Sequence, residues 1–379
     1  MLDRYSCRYT VYLYAMRDLL LPRSDRCSPI GGANALGLEE PVFRIAYSDE
    51  CGVPIAGRAA ELLALRLVGA RDLSVGRLYE GHLNGAQLVG RHGTAEQRAR
   101  ALADIAAGHV FGVWNTQESD NPVRIAARGD RFVLAGAKTW ASGAGTITRP
   151  LVTALRDDGT TQLCLLPMET LRTAIDASVW RPHGMQRSDS FRISLDGIEL
   201  AMEDMVGAPQ VYERQPWFWG GAWRYAAVQS GAIERLFLET AAYLRARKRD
   251  TDAFQRVRLA EIRIAFHGCV HWLDAASAAW RDFDASETSA NAARVIDVVD
   301  MARTAVETAA VDTIARVLRS VGASGLVEPH PFSRLVRDLE MYLRQPAPDA
   351  ALVRVGIAAV DEALALRSNS VASSTDCDG

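Results

Sequence analysis

The sequence predicts a mainly α protein with a small β domain set into the middle of the chain, in the order helices, β domain, helical bundle. Three observations carry this. Residues 58–108, and most of the chain beyond Gly220, place apolar residues at helical spacing with small or charged residues between them. Between about 110 and 205 the texture changes to short β-rich runs bounded by turns. The chain has 379 residues, 49% of them hydrophobic and 23% charged, enough for a large core shared between two or three domains.

Residues 1–50 have no clear periodicity, and "SPIGGANALG" within them reads as loop. The segment "AAELLALRLVGARD" begins the helical pattern, and "GTAEQRARALADIAAG" continues it. In the latter, Thr94 and Gln97 have the spacing of a capping box, and Gly108 supplies the stop. These make an N-terminal helical domain over 1–109. The runs "RFVLAGAKTW", "RPLVTALRD", "TQLCLLPM" and "SFRISLDGIEL" read as strands, with Asp158-Gly159 as a hairpin turn between two of them. They place a mostly antiparallel β domain over 110–208. Four long amphipathic segments follow, opening on "AWRYAAVQ", "QRVRLAEI", "ETSANAAR" and "DAALVRVG", and argue a four-helix bundle over 209–367. The small, polar stretch "SNSVASSTDCDG" at 368–379 reads as a disordered tail.

Bulk properties exclude several classes. A net charge of −3 gives no basic field for nucleic acid. No uncharged apolar run is long enough to span a membrane, and Arg17 and Asp18 interrupt "YTVYLYAMRDLLLP" as a signal peptide. Six scattered cysteines without a C-x-x-C pattern predict reduced thiols in a cytoplasmic protein. His267 and His271 stand one helical turn apart, but no third ligand accompanies them, so a packed helix face is expected and no metal. The aromatic cluster "WFWGGAWRY" suits a pocket wall or a packed interface equally well.

Chemistry is suggested first by "GAKTWASGAG" (136–145). Trp140 stands among small residues at a strand end, which leaves room for a flat partner against the indole. Taken alone, a core tryptophan beside turn glycines is the simpler reading. Its neighbours add context. "FGVWNTQESDNP" (111–122), "AGAKTWASGAG" (135–145) and "HGMQRSDSFRISLDGIEL" (183–200) resemble three landmarks of the β domain of acyl-CoA dehydrogenases. The segment "RSVGASGLVEPHPFSRLVRDLEMY" resembles that family's glycine-bearing stretch before its last helices. The resemblance covers roughly residues 58–365, with the motifs in the family's order.

The resemblance implies an N-terminal helical domain, a barrel-like middle domain and a C-terminal four-helix bundle, with FAD held between the last two. It implies that Trp140 packs against the flavin, that Ser142 hydrogen-bonds the ring near N5, and that Asn115 and Thr116 meet its pyrimidine edge. Donors belong at that edge because negative charge develops there on reduction. Arg247, after Tyr243, and the glycines Gly322 and Gly325 match the elements that hold the adenine end and pyrophosphate. In the family these come from a neighbouring subunit, which implies a homo-oligomer, a dimer or tetramer. The substrate implied is an acyl-CoA or carrier-bound acyl group, with the electron acceptor unidentified.

The sequence also departs from the family. The loop after Arg247 is shorter, Arg319 replaces the glutamine opening the glycine loop, and the family's "GMR" reads "GMQR" with its arginine at Arg187. Counted without gaps from Arg337-Asp338, the family's general-base glutamate falls on Pro346, and its alternative site falls near Gly221. Pro346 and Pro348 break the helical pattern there. Asp349 is the nearest carboxylate and the candidate base, with an N-cap of the following helix as its simpler role. The functional expectation is an FAD-dependent oxidoreductase acting on an acyl thioester or related small substrate. A flavin-dependent monooxygenase of the same fold, which needs no such glutamate, is the alternative. A flavin-poor binding or assembly subunit is the third.

Overall fold

Asp72 ends one helix and starts the next. Its backbone is extended and its side chain accepts hydrogen bonds from the N–H groups of Ser74 and Val75, so α1 (Arg58–Arg71) gives way to α2 (Leu73–His92). Thr94 and Gln97 form the reciprocal capping box and begin α3 (Ala95–Ala106). The computed structural model describes residues 35–49, 52–166 and 175–375. The "YTVYLYAMRDLLLP" segment, Cys7, Cys27, Cys51, Cys377 and the last four residues of the chain lie outside those described. Cys164 and Cys269 are buried and free.

The β domain contains β1 (Phe111–Trp114), β2 (Arg124–Arg128), β3 (Arg131–Ala135), β4 (Ala137–Ala141), β5 (Arg149–Leu155), β6 (Thr161–Leu165), β7 (Ile175–Asp176), β8 (Phe191–Ser194), β9 (Glu199–Leu200) and β10 (Met205–Val206). A seven-stranded sheet runs β10-β6-β5-β2-β3-β9, with β1 joined to β5, and a three-stranded sheet runs β4-β8-β7. Pairing is antiparallel except where β5 meets β1 and β2. Phe111 and Trp114 of β1 are buried. His82 on α2 accepts the Phe111 N–H through Nδ1 at 3.1 Å and stacks on Phe43 at 4.4 Å. The N-terminal helices are thereby fastened to the sheet.

The second half holds α4 (Trp223–Ala246), α5 (Ala253–Ala285), α6 (Ser289–Val321), α7 (Pro331–Tyr342) and α8 (Pro348–Thr375). Asp252 and Thr288 cap α5 and α6, each 33 residues and so about 50 Å long. A buried network joins this half to the first. Glu61 on α1 accepts from Arg58 at 2.9 Å, from Gln87 at 3.1 Å and from Arg224 of α4 at 2.7 Å. Two guanidinium groups and an amide thus neutralise and solvate a carboxylate that is wholly out of water.

Two features differ from the sequence reading. The stretch 331–342 is a helix in its own right, begun by a His330 cap and a proline in the first turn. The last helix also runs beyond residue 367, to Thr375, because no proline or glycine after Gly356 interrupts it. Among the described residues no helix is long and apolar enough to cross a membrane. No group of three or more His, Cys, Asp or Glu side chains among them could hold a metal ion.

Candidate functional site

A cavity of about 300 Å³ lies between the β domain and the end of α7. Close backbone contact creates it. Gly184 presses so tightly on the Arg337 carbonyl that any Cβ there would overlap it. Beside it, the Met185 N–H donates to Asp338 Oδ1 at 2.6 Å. Arg187 and Arg334 both bind Asp72 Oδ2, at 3.0 and 2.6 Å, and pin the same seam to the start of α2. The "HGMQR" landmark therefore docks on "RDLEMY". The displaced arginine, Arg187, is engaged by a carboxylate.

The β-domain wall is built from the end of β4. Trp140 has a left-handed backbone, φ 54°, uncommon for a bulky residue, and its side chain is 56% exposed. Its ring meets Trp180 edge to face at 5.6 Å. Behind it runs a chain of hydroxyls: Ser142 Oγ lies 2.9 Å from Ser190 Oγ, which lies 2.9 Å from Ser188 Oγ. Trp114 Nε1 donates to the Ser142 carbonyl at 2.9 Å and holds this turn in place.

The helical wall comes from α2 and α7. Tyr342 is buried and its hydroxyl has no partner among the described residues, and burial holds that hydroxyl well above the usual phenol range. Its carbonyl accepts from Gln229 at 2.9 Å and Gln345 at 2.8 Å. Pro346 closes the wall, and its carbonyl accepts from Arg303 Nη2 at 2.9 Å. Arg77 on α2 reaches the cavity while ion-paired to Glu80. Among the described residues, no Asp or Glu lines the cavity.

Of the residues singled out in the sequence, Thr116, Trp140 and Ser142 line this cavity together, as does Pro346. Asn115 adjoins Thr116, is exposed, and accepts from Thr153 through Oδ1 at 2.7 Å. Arg247, Gly322 and Gly325 form a separate group. Arg247 stacks over Tyr243 at 4.5 Å, and the Tyr243 hydroxyl donates to the Val321 carbonyl, at 3.2 Å, just before the glycine turn. None of these three lines the cavity.

Asp349 is not brought to the cavity either. Ala347 adopts φ 54° and α8 begins at Pro348, which leaves Asp349 exposed within the first helical turn. It is neither placed as a base nor the N-cap, although a carboxylate in a first turn suits the helix dipole. Gly221 faces Asn84 and Arg224. The "WFWGGAWRY" aromatics pack inward: Trp217 lies against Trp280 and Phe283, and Trp223 is fully buried. Sequence reasoning missed Ser188, Ser190, Tyr342, Arg77 and Trp180. The two serines lie inside the "HGMQRSDSF" landmark, the one available signal for them.

No family profile matches the chain. Among curated proteins, the short-chain-specific acyl-CoA dehydrogenase of Clostridium acetobutylicum is 24% identical over 278 residues, covering 68% of this chain and 70% of that protein. A dibenzothiophene monooxygenase of Rhodococcus erythropolis is 26% identical over 158 residues, covering 39% of this chain and 38% of that protein. Among solved structures, FMN-bound TdsC from Paenibacillus sp. A11-2 superposes with a TM-score of 0.76 at 18% identity, covering 83% of this chain and 86% of that one. The fold is the acyl-CoA dehydrogenase-like fold of flavoproteins. In sequence the chain is similar, at low identity, to acyl-CoA dehydrogenases.

Proposed function

We propose that the protein is a flavin-dependent oxidoreductase that works as a monooxygenase on a small-molecule substrate. The observation that carries this is the lining of the cavity: an exposed indole, a chain of three hydroxyls and, among the described residues, a buried tyrosine hydroxyl without a partner and no carboxylate. Removing the α-proton of an acyl thioester needs a positioned base, typically worth about 10²–10⁴-fold. Oxygen-dependent chemistry needs no such carboxylate.

The residues present fit a flavin. A cavity of about 300 Å³ lies at the small end of the usual range of roughly 300–1,000 Å³ for ligand sites. When bound, the flavin supplies two-electron redox chemistry and, once reduced, reactivity toward oxygen. Trp140 offers the flat apolar surface. Because the three serine hydroxyls are linked in series, Ser142 can direct an O–H outward while Ser190 donates to its oxygen and Ser188 to that of Ser190. Tyr342 holds a proton at its hydroxyl across the whole ordinary pH range and can only orient a partner, not remove a proton from it.

Arg247 and the Gly322–Gly325 turn lie apart from the cavity, so FMN is the smaller requirement. FAD would draw on these residues from a second copy of the chain. The FMN-bound TdsC structure supports the first choice. The longer sequence match, to an acyl-CoA dehydrogenase over 68% of this chain, favours the second, together with dehydrogenation of an acyl thioester.

The two readings separate in one experiment. The purified protein is titrated with oxidised and dithionite-reduced FMN and FAD, then assayed for turnover of straight and branched acyl-CoAs with an artificial electron acceptor. Tighter binding of reduced FMN, with acyl-CoA turnover at background, is expected. Brisk acyl-CoA turnover with tightly held FAD would overturn the monooxygenase reading.

A further inference from the structure

We propose that Lys138 is a positioning residue for the cofactor: through Thr153 it fixes the direction of a hydrogen-bond chain and leaves the Asn115 side chain only N–H groups to offer a ligand. This rests on the flavin reading of the adjoining cavity.

Lys138 on β4 is wholly buried. Its Nζ lies 3.0 Å from the Asn115 carbonyl, 3.1 Å from Gln117 Oε1 and 3.0 Å from Thr153 Oγ1. An ammonium has three N–H donors, and here all three are used on neutral oxygens. No carboxylate pairs with it among the described residues. The ionisable group facing it from β6 is Cys164, whose thiol burial pushes up to about 12, so it carries no charge at neutral pH. Burial in turn pushes the lysine down to about 7. A buried cation without a counter-ion costs several kcal/mol, and an apolar side chain of the same length would pack there without that cost. Stability therefore does not account for a lysine at this position.

The direction of the chain accounts for it. While Lys138 is protonated it can only donate, so below about pH 7 Thr153 Oγ1 must accept from it. The threonine hydroxyl hydrogen is then free to donate, and Asn115 Oδ1 stands 2.7 Å away to accept it. Both oxygens of Asn115 are now engaged, the backbone oxygen by Lys138 and the side-chain oxygen by Thr153. With the lysine protonated this settles the orientation of the amide, which distances alone leave ambiguous. Nδ2 makes no hydrogen bond within the chain among the described residues, and Asn115 is exposed beside the cavity-lining Thr116. A reversed amide would offer an oxygen instead. The pyrimidine edge of a flavin carries carbonyl oxygens that gain negative charge on reduction, so the two orientations bind it very differently.

The test is calorimetric titration of the full chain with oxidised and dithionite-reduced FMN. Asn115→Ala, Lys138→Met and Thr153→Val are each expected to weaken binding about tenfold, the scale of one hydrogen bond lost at a buried site. Lys138→Met added to Asn115→Ala should weaken it no further, because the lysine acts through the asparagine. Asn115→Asp should bind worse than Asn115→Ala, since it turns an acceptor toward the ligand's carbonyls. Wild-type affinity in folded Lys138→Met, or losses that multiply in the double variant, would overturn the proposal. If Lys138→Met does not fold, Thr153→Val decides the matter, because it cuts the chain and leaves the lysine in place. Failure of the wild type itself to bind either form of FMN or FAD would sink the flavin reading, and this inference with it.

Discussion

His82 shows how far one position can be taken from its ordinary chemistry. Burial pushes its imidazole down to about 3, and His92 is pushed to about 4 by burial and by the charges of Arg91 and Arg214. Both are neutral in the folded chain, whereas an unfolded histidine titrates near 6.5. Below that pH the unfolded state binds more protons than the folded one. The stability these residues allow is therefore complete above about 6.5 and drains away as pH falls toward 3–4. Denaturant midpoints measured from pH 7 to 4 are expected to decline steadily. His82→Asn, which keeps an acceptor for the Phe111 N–H, should flatten that decline by about 1 kcal/mol or more. At this scale the sequence was partly legible. Trp140 stood out because a large flat ring among glycines and alanines is an unusual pattern, and Thr116 and Ser142 came with its landmarks. Ser188, Ser190 and Tyr342 carry no pattern of their own: a lone serine looks like any turn, and a tyrosine on an amphipathic helix looks like core. Asp349 stands exposed in the first turn of α8, a placement the sequence does not show because the direction of a side chain after two prolines depends on backbone angles, here the left-handed Ala347, that residue types do not encode.

At the scale of elements, the placement of α7 governs the cavity. Gly184 and the Arg337 carbonyl touch backbone to backbone, so no side chain can move aside to relieve an added methyl. Gly184→Ala is expected to cost about 1–3 kcal/mol in thermal unfolding. It should also weaken FMN binding far more than that loss of stability implies, because it lifts one wall off the cavity. An unchanged FMN affinity in the folded variant would separate α7 from the site. The helices were legible wherever capping and periodicity agreed, as at Thr94–Gln97 and along α5 and α6. Helix α7 was harder to read as a separate element. Its twelve residues are short, and its start depends on His330 and Pro331 rather than on a common cap.

For the whole molecule, α8 is the element that the chain alone leaves incompletely packed. Leu352, Val353, Ile357, Val360 and Leu366 are all more than half exposed along it, and Phe254, Val257 and Ile264 are equally bare on α5. Association with a further copy of the chain would cover apolar surface of this kind. A homo-oligomer is accordingly expected in solution, as the Arg247 and Gly322–Gly325 resemblance implies. Light scattering should give a dimer or tetramer, and Val353→Glu with Ile357→Glu should shift it toward monomer without loss of helix. A monomeric wild type at micromolar concentration would refute this.

The eight tryptophans of the chain are unevenly distributed. Trp114, Trp223 and Trp280 are sealed in the core, whereas Trp140 stands half in solvent at the cavity, edge-on to Trp180. An indole in water emits at longer wavelength than one in a core, so the cavity and the core glow in different colours. A flat ring laid on Trp140 would dim the red light, to which the exposed Trp272 also contributes, and spare the blue. The molecule thus carries a label-free optical gauge of its own occupancy in the Trp140 share of that emission, and Trp140→Phe would remove that share.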